Sequence, residues 1–309
     1  MIVMIMLPHQ LKAGMTFFKD FALLLKNTFN QWSARDPFNN SIIIAYYTIF
    51  SLPGLLVIII NIAGYFFDKS VVTTDITNEI QAMIGGDTAK DVQAIIIKAT
   101  EHKGTVLASI LGVSTLIFGA TGVFYQLQQM LNKIWETKPK TTSTKKIVVL
   151  IMNRLFSLGL VLAVGFLMLV SLLISTALNA LSNWVTSHLS FSVDVIFKIT
   201  DIIISISAIT LLFAAIFKFL PDTKIRWKNV WPGALLTAIL FVIAQYLLGL
   251  YFGKSNPGTT YGAAGSIILI MLWVSYTGLI LLFGAEFTHE YNIYCNKNSQ
   301  KNNELKVNH

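Results

Sequence analysis

Polar side chains within long apolar stretches are the residues of this sequence that could do chemistry. Glu286 ends one such stretch and Gln245 lies in the middle of another. Polar groups are costly in lipid, so a retained carboxylate could carry a proton or bind a cationic group, and a retained amide could contact a substrate. Both could instead be structural, Gln245 as an interhelical hydrogen-bonding group and Glu286 as half of an ion pair. The cationic residues expected within reach of Glu286 are Arg154, Arg226 and Lys228.

Six further residues extend this set into a candidate substrate path or gate. They are Tyr46, Tyr47, Ser51, Pro53, Asn61 and Tyr261. Pro53 lies near the middle of its apolar stretch, where proline removes a backbone hydrogen bond and kinks a helix. The two adjacent tyrosines could equally belong to an aromatic belt at the membrane interface. Tyr261 begins the turn YGAAG, which predicts either gating flexibility or close helix packing.

A short basic segment could bind the phosphates of lipid headgroups. Its cationic residues are Lys218, Lys224, Arg226 and Lys228, and tryptophans follow at 227 and 231. Basic residues beside apolar helices attract anionic lipids. Ordinary positive-inside bias predicts the same residues, so the alternative to a lipid site is a plain topological signal.

The sequence lacks the common catalytic patterns. It contains no GxxxxGK[ST] phosphate loop, no HExxH and no GxSxG. Its five histidines and one cysteine, Cys295, show no metal-ligand spacing, so we expect no metal and no cofactor. A nuclease would need clustered carboxylates or histidines, whereas the acids expected on the cytoplasmic side are scattered. We therefore expect a protein that is not an enzyme, and we disfavour a ribonuclease.

The elements that position these residues are apolar helices. The 309 residues are 54% hydrophobic and only 12% charged, whereas soluble domains carry about 25% charged residues. Six stretches approach or exceed the length of about 20 residues that crosses a bilayer. They lie at about 42–66, 105–127, 151–178, 195–219, 231–252 and 267–283. The sequence thus predicts an all-α, polytopic integral membrane protein with six transmembrane helices.

Three other segments complete the predicted organisation. Residues 1–41 form an N-terminal segment whose apolar residues recur at helical spacing over 11–35, which predicts an amphipathic helix in the membrane interface. The alternative is a helix packed on the bundle. Residues 67–104, between spans one and two, are polar and acidic and predict a small external helical cap. The transmembrane domain covers 42–290, and the Asn/Lys-rich residues 291–309 predict a disordered cytoplasmic tail.

The distribution of Lys and Arg predicts the orientation. Most of the 23 basic residues lie in the N-terminal segment, the 128–154 connection, the 218–228 connection and the tail. Cytoplasmic loops carry such an excess, so both termini are predicted to be cytoplasmic and the acidic cap external. The same bias accounts for the net charge of +8 without nucleic acid as a partner.

Several motifs together resemble those of the YihY/BrkB family of bacterial inner-membrane proteins. The sequence FLPD is followed by RWKNVWPGA, YGAAGS, Trp273 and GAE, and two earlier stretches agree, AYYTIFSLPGLL at 45–56 and FGATGVFYQLQQMLNKIWE at 118–136. The resemblance covers residues 41–290. It implies six transmembrane helices, the bacterial cytoplasmic membrane and an envelope role, without an agreed biochemical activity.

Two functions fit these observations. The first is a transporter or lipid-handling protein in envelope maintenance, with membrane lipids as partners; without an ATPase motif it would be passive, ion-coupled or driven by a partner. The second is a structural scaffold that binds an envelope protein through the external cap. A polar cavity between spans one, five and six would favour the first, and a tightly filled apolar bundle the second.

Overall fold

The chain folds into long helices. A computed structural model describes residues 7–66, 122–137, 194–255 and 265–307, with short stretches at 73–74, 76–78, 81 and 93–94. All regular secondary structure in these residues is helical, which confirms the all-α class for this part of the chain. The helices are α1 (Leu7–Ala34), α2 (Pro37–Phe66), α3 (residues 122–134), α4 (Asp194–Phe219), α5 (Trp227–Ser255) and α6 (Gly265–Val307).

Three of the described helices are long and apolar enough to cross a membrane. The qualifying segments are Ile202–Phe219 of α4, Trp227–Phe252 of α5 and Gly265–Lys297 of α6. They correspond to the fourth, fifth and sixth spans predicted from the sequence. The third predicted span and most of the second and of the external cap lie outside the described residues, so the count of six stays a prediction.

Helix α6 is the central element of the described bundle. It packs against α1, α2 and α5, while α4 packs against α5. The largest fully buried side chains include Phe217 of α4, Val230 of α5 and Glu286 of α6. With 43 residues at 1.5 Å each, α6 is about 65 Å long, roughly twice the thickness of the hydrocarbon core.

The end of α6 corrects one expectation. The sequence predicts a disordered tail from residue 291, whereas the helix continues to Val307. Between Ala285 and His309 the chain contains neither glycine nor proline, the residues that most strongly end a helix. The polar composition of the tail therefore does not prevent it from being helical.

Helix α1 packs along α6, as in the alternative reading of its sequence. Thr28 and Leu24 are buried, and the ring of Phe21 lies edge-on to Phe287 with centroids 6.2 Å apart. Further along, the hydroxyl of Tyr294 donates a hydrogen bond of 3.0 Å to Asp20. Other apolar side chains of α1, such as Leu23, are exposed, so contact of that face with lipid stays a prediction.

Helices α5 and α6 approach closely through two matching Gly–Thr contacts. A Cβ on Gly233 would overlap the side chain of Thr288, and a Cβ on Gly284 would overlap that of Thr237. Each threonine hydroxyl donates to the carbonyl four residues earlier in its own helix, at 2.6 Å in α5 and 2.7 Å in α6. The sequences GALLT and GAEFT thus form one antiparallel crossing in which small residues bring two backbones together.

Candidate functional site

The corner between α1 and α2 places Arg35 inside the bundle. Proline at 37 suits the first position of α2 and ends α1 before it, because the residue preceding proline avoids the helical conformation. Asp36 turns the chain with a φ of 52°, a left-handed conformation that is uncommon for residues other than glycine. The side-chain amide of Asn40 closes the corner by donating a hydrogen bond of 2.8 Å to the carbonyl of Arg35.

The C-terminus of α3 lies opposite this corner and has a defined cap. Glu136 has a φ of 50°, the amide of Thr137 donates 3.0 Å to the carbonyl of Asn132, and the amide of Glu136 donates 3.3 Å to that of Lys133. These two bonds form a Schellman motif, whose left-handed position is normally glycine. Two non-glycine residues in this strained conformation therefore lie at one place, which is typical of functional sites.

Arg35 connects this cap to α6. Its Nε lies 3.2 Å from Oε2 of Glu286, and its Nη2 lies 3.7 Å from Oε1 of Glu136. Its Nη1 donates to the carbonyl of Lys133 at the end of α3. One guanidinium group thus joins the α1–α2 corner, the end of α3 and the middle of α6. We call Arg35, Glu136 and Glu286 the Arg35 cluster.

The charges of the Arg35 cluster differ greatly in exposure. The side chain of Glu286 is 1% exposed, that of Arg35 19%, and that of Glu136 74%. A buried carboxylate without a cation is strongly destabilising, and removing one partner of a buried pair typically costs about 3–5 kcal/mol. Arg35 is therefore the group that permits Glu286 to be charged in this position.

A small cavity adjoins the ion pair. Its volume is about 20 Å³, room for about one water molecule. Its polar lining comes from Trp32, Arg35, Asn40, Lys133 and Glu286.

Several polar atoms at this place make no hydrogen bond within the protein. They are Nε1 of Trp32 and Trp135, Nε of Arg35, both carboxylate oxygens of Glu286 and Nδ1 of His289. The ring of His289 lies edge-on to Trp135 with centroids 4.9 Å apart. Buried polar groups are normally satisfied, so a cluster of exceptions indicates a functional role or bound water.

The predicted pairing of Glu286 with a cationic side chain is confirmed in kind, but the partner is Arg35. Two of the expected partners, Arg226 and Lys228, are exposed in the structure, and Arg154 lies outside the described residues. They were expected because the loop before α5 is the nearest basic segment to the end of α6. In the structure, the α1–α2 corner occupies that position against α6.

Three further residues of the predicted path, Tyr46, Tyr47 and Ser51, have side chains that the structure describes. Tyr46 is 52% exposed and contacts the ring of Phe50. The ring of Tyr47 lies where a Cβ on Gly122 would overlap it, so it serves the packing of α2 on α3. The buried hydroxyl of Ser51 donates 3.0 Å to the carbonyl of Thr48.

The other path residues have simpler placements. Gln245 is half-buried in α5. Pro53 and Asn61 lie in the helical backbone of α2. Tyr261 lies outside the described residues.

Of the four cations of the basic segment, one makes contacts within the protein and three are exposed to solvent. Lys218 donates to the carbonyl of Ile225, and its Nζ lies 5.7 Å from the ring centre of Trp227. Lys218 thus stabilises the conformation of the loop between α4 and α5. The three cations that remain exposed are Lys224, Arg226 and Lys228.

The same loop is fixed to α3 by Asp222. Its carboxylate accepts hydrogen bonds from Asn132 at 2.8 Å and from Gln128 at 3.3 Å, and its amide donates 2.8 Å to the side-chain oxygen of Asn132. The FLPD and QLQQMLNKIWE motifs therefore contact one another. The loop, the cap of α3 and the α1–α2 corner lie at one end of the bundle, which we call the Glu286 end.

Sequence reasoning missed Arg35 because it treated the lysines and Arg35 of the first 35 residues as the polar side of an interfacial helix. A local signal was present in Arg35-Asp36-Pro37, where proline ends the helix directly after the arginine. An arginine at a helix corner next to a membrane span is a better candidate for an internal ion pair than a lysine within the helix.

Comparisons with known proteins agree with the motifs. The sequence model of the family described as virulence factor BrkB matches residues 28–308. The ribonuclease-like protein YfkH of Bacillus subtilis is 23% identical over 85% of this chain and 92% of its own length. UPF0761 membrane proteins of Pseudoalteromonas atlantica and Stenotrophomonas maltophilia are each 22% identical, over 84% and 79% of this chain.

Coverage of these relatives varies. The chain spans 82% of the Pseudoalteromonas protein but only 55% of the Stenotrophomonas protein. No solved structure matches the chain. The family match covers nearly all of the sequence, including Arg35, Glu136 and Glu286. The chain is therefore a membrane protein that belongs to the BrkB virulence factor family.

Proposed function

We propose that this protein is a transporter or lipid-handling protein of the bacterial cytoplasmic membrane, in which the Arg35 cluster closes one end of the path. The observation that carries the proposal is the ion pair between Arg35 and the 1% exposed Glu286. Ionisable residues buried in membrane proteins are costly, and they commonly mark substrate or ion pathways. An ion pair is also a contact that can open and close again without rebuilding the fold.

The proposed topology has six spans, both termini inside and an external cap at 67–104. The Glu286 end then faces the cytoplasm, because the 218–228 segment and the N-terminal segment carry most of the described basic residues. On this side the exposed cations Lys224, Arg226 and Lys228 are available to anionic headgroups. The proposed activity is not enzymatic, and membrane lipids are the proposed partners.

One observation favours the second candidate, a non-catalytic scaffold for an envelope protein. The cavity beside Glu286 is about 20 Å³, whereas ligand pockets are commonly about 300–1,000 Å³. If this arrangement is permanent, the cluster is a structural tie and the protein transports nothing. The two candidates therefore differ in whether the Arg35 cluster opens.

The test is lipid movement in reconstituted vesicles. Purified protein is inserted into liposomes that contain fluorescent phospholipids, and a membrane-impermeant quencher reports which leaflet holds the label. We expect faster exchange between leaflets with the wild-type protein than with empty liposomes, and a changed rate in Glu286→Gln. A wild-type rate equal to that of empty liposomes, for zwitterionic and anionic lipids alike, would contradict lipid handling and favour the scaffold.

A further inference from the structure

We propose that Glu286 is a proton-loading site, reached from the aqueous phase at the Glu286 end through a water held in the adjoining cavity. The inference rests on the proposed transport function, for which it names the coupling ion as the proton. It concerns one carboxylate, one water-sized space and one guanidinium group that can release the carboxylate.

The cavity has the polar groups that a single water molecule needs. A buried water typically makes about three hydrogen bonds to groups that are otherwise unsatisfied. Trp32 and Arg35 each bring an N–H donor to the lining, and Glu286 brings two acceptor oxygens. The atoms concerned, Nε1 of Trp32, Nε of Arg35 and both carboxylate oxygens of Glu286, make no hydrogen bond within the protein. A water here would accept from a ring or guanidinium N–H and donate to the carboxylate.

Residues at the wall of the cavity connect a water held there to solvent. Lys133 and Arg35 both line the cavity. The side chain of Arg35 is partly exposed, and it contacts the exposed Glu136. Since Glu286 itself is 1% exposed, the cavity is the route of the described structure by which a proton could reach it.

The charges around Glu286 come from several elements. The α1–α2 corner contributes Arg35, α3 contributes Lys133 and Glu136, and α6 itself contributes His289 and Glu290. From α5 the face against this part of α6 presents small uncharged residues at Gly233 and Thr237. From α2 the cavity receives the amide of Asn40. Arg35 is thus the cation in contact with the carboxylate, with Lys133 at the cavity wall.

The loading step balances simply. The water in the cavity transfers one proton to a carboxylate oxygen of Glu286 and takes one proton from the solvent, which leaves a neutral carboxylic acid and a neutral water molecule. The attraction between Arg35 and Glu286 then disappears, while Arg35 keeps Glu136 and the carbonyl of Lys133. Helix α6 is released from the corner. Loss of the proton to water restores the pair.

A metal ion suits this place less well than a proton. The guanidinium group lies 3.2 Å from the carboxylate and would repel a bound cation. Among the described residues no group of three His, Cys, Asp or Glu side chains could hold one. A proton needs no such ligand set, because it binds covalently to one oxygen.

Infrared spectroscopy tests the proposal without a transport substrate. The full chain in lipid nanodiscs is titrated from alkaline to acidic pH, and the C=O stretch of protonated carboxylic acids is recorded in H₂O and D₂O. We expect the difference between the wild-type and Glu286→Gln spectra to contain one acid band, which grows as the pH falls and shifts in D₂O within the mixing time. Glu290→Gln and Glu136→Gln are matched controls that should keep the band.

A second variant, Glu286→Asp, provides an independent test in case Glu286→Gln misfolds. In protein labelled with ¹³C only at glutamate, Glu286→Asp should replace the isotope-shifted band by an unshifted one. A band that persists unchanged in both variants, the absence of any titrating band, or a band that does not respond to D₂O would each overturn the proposal. A titrating Glu286 in a protein that moves no lipid would instead contradict lipid handling and leave the proton site standing.

Discussion

At the scale of the residue, Arg35 and Glu286 are unequal partners. Glu286 is enclosed and touches one cationic side chain, whereas Arg35 is partly exposed and also contacts Glu136 and the carbonyl of Lys133. Removing the arginine therefore leaves a buried charge without compensation, while removing the carboxylate leaves an arginine with two other partners. We therefore expect the removal of Arg35 and the removal of Glu286 to destabilise the protein by different amounts.

We expect Arg35→Gln to lower the free energy of unfolding by about 3–5 kcal/mol, and Glu286→Gln to lower it by clearly less. Unfolding by denaturant in mixed micelles measures both. The double variant Arg35→Met/Glu286→Met should recover part of the loss of Arg35→Gln, because a buried pair can often be replaced by apolar side chains. Equal losses in the two single variants would contradict the predicted difference between the two partners.

The sequence identified one half of this pair. Glu286 was predicted because a carboxylate next to an apolar stretch is conspicuous, and its need for a cation follows from elementary electrostatics. The identity of that cation depends on how α1 and α2 pack against α6, a contact between opposite ends of the chain. No local pattern encodes such a contact, so the predicted topology, which places the 218–228 segment and Glu286 on the same side of the membrane, pointed to Arg226 and Lys228 instead.

At the scale of the element, the crossing of α5 and α6 holds Glu286 in register. Gly284 and Thr288 lie on either side of it and contact Thr237 and Gly233 of α5. The repeated pattern GAxxT in the two helices was a visible signal for this contact, although the sequence alone did not indicate that the two copies face each other in opposite directions.

We expect Gly284→Ala to destabilise the protein by about 1–3 kcal/mol, the usual cost of overpacking. Adding Thr237→Gly should recover part of this loss, because it removes the side chain that the new methyl group meets. Gly278→Ala is a milder comparison, since its Cβ would lie 3.2 Å from Cβ of Ser41. Thermal unfolding in detergent ranks the three variants. A Gly284→Ala protein as stable as wild type would refute the tight crossing.

Helix positions were predictable because apolar runs of membrane length are strong signals, as in α4, α5 and α6. Two interpretations failed or stayed open because they depended on surroundings. The tail after residue 291 continues α6, and α1 lies against α6 where its sequence also permits a position in the interface. A polar or amphipathic composition limits the environments that a helix can occupy, whereas packing against neighbouring elements determines which of them it does occupy.

At the scale of the whole molecule, the connections predicted to share one side of the membrane do lie at one end. The α1–α2 corner contacts α3 and α6 through Arg35, and the end of α3 contacts the loop before α5 through Asn132 and Asp222. Lys and Arg bias predicts that this end faces the cytoplasm.

Cysteine labelling tests that assignment. In a Cys295→Ser background, a cysteine at the exposed position 224 should react with an impermeant thiol reagent only after lysis, and one at position 87 should react with intact cells. Cys295 is the single native cysteine, so the background is free of other thiols. The reverse pattern would invert the topology and place the Arg35 cluster on the external side.

The length of α6 gives the Arg35 cluster a mechanical meaning. Glu286 lies near the middle of this 43-residue helix, so the contact with Arg35 acts as a pivot between two arms of similar length. A tilt of the arm within the membrane about this pivot moves the other arm in the opposite direction. Helix α1, attached to that second arm through Phe21 and Asp20, travels with it. Release of the guanidinium group from Glu286 would remove this pivot, so a tilt of the arm within the membrane would no longer be transmitted to α1.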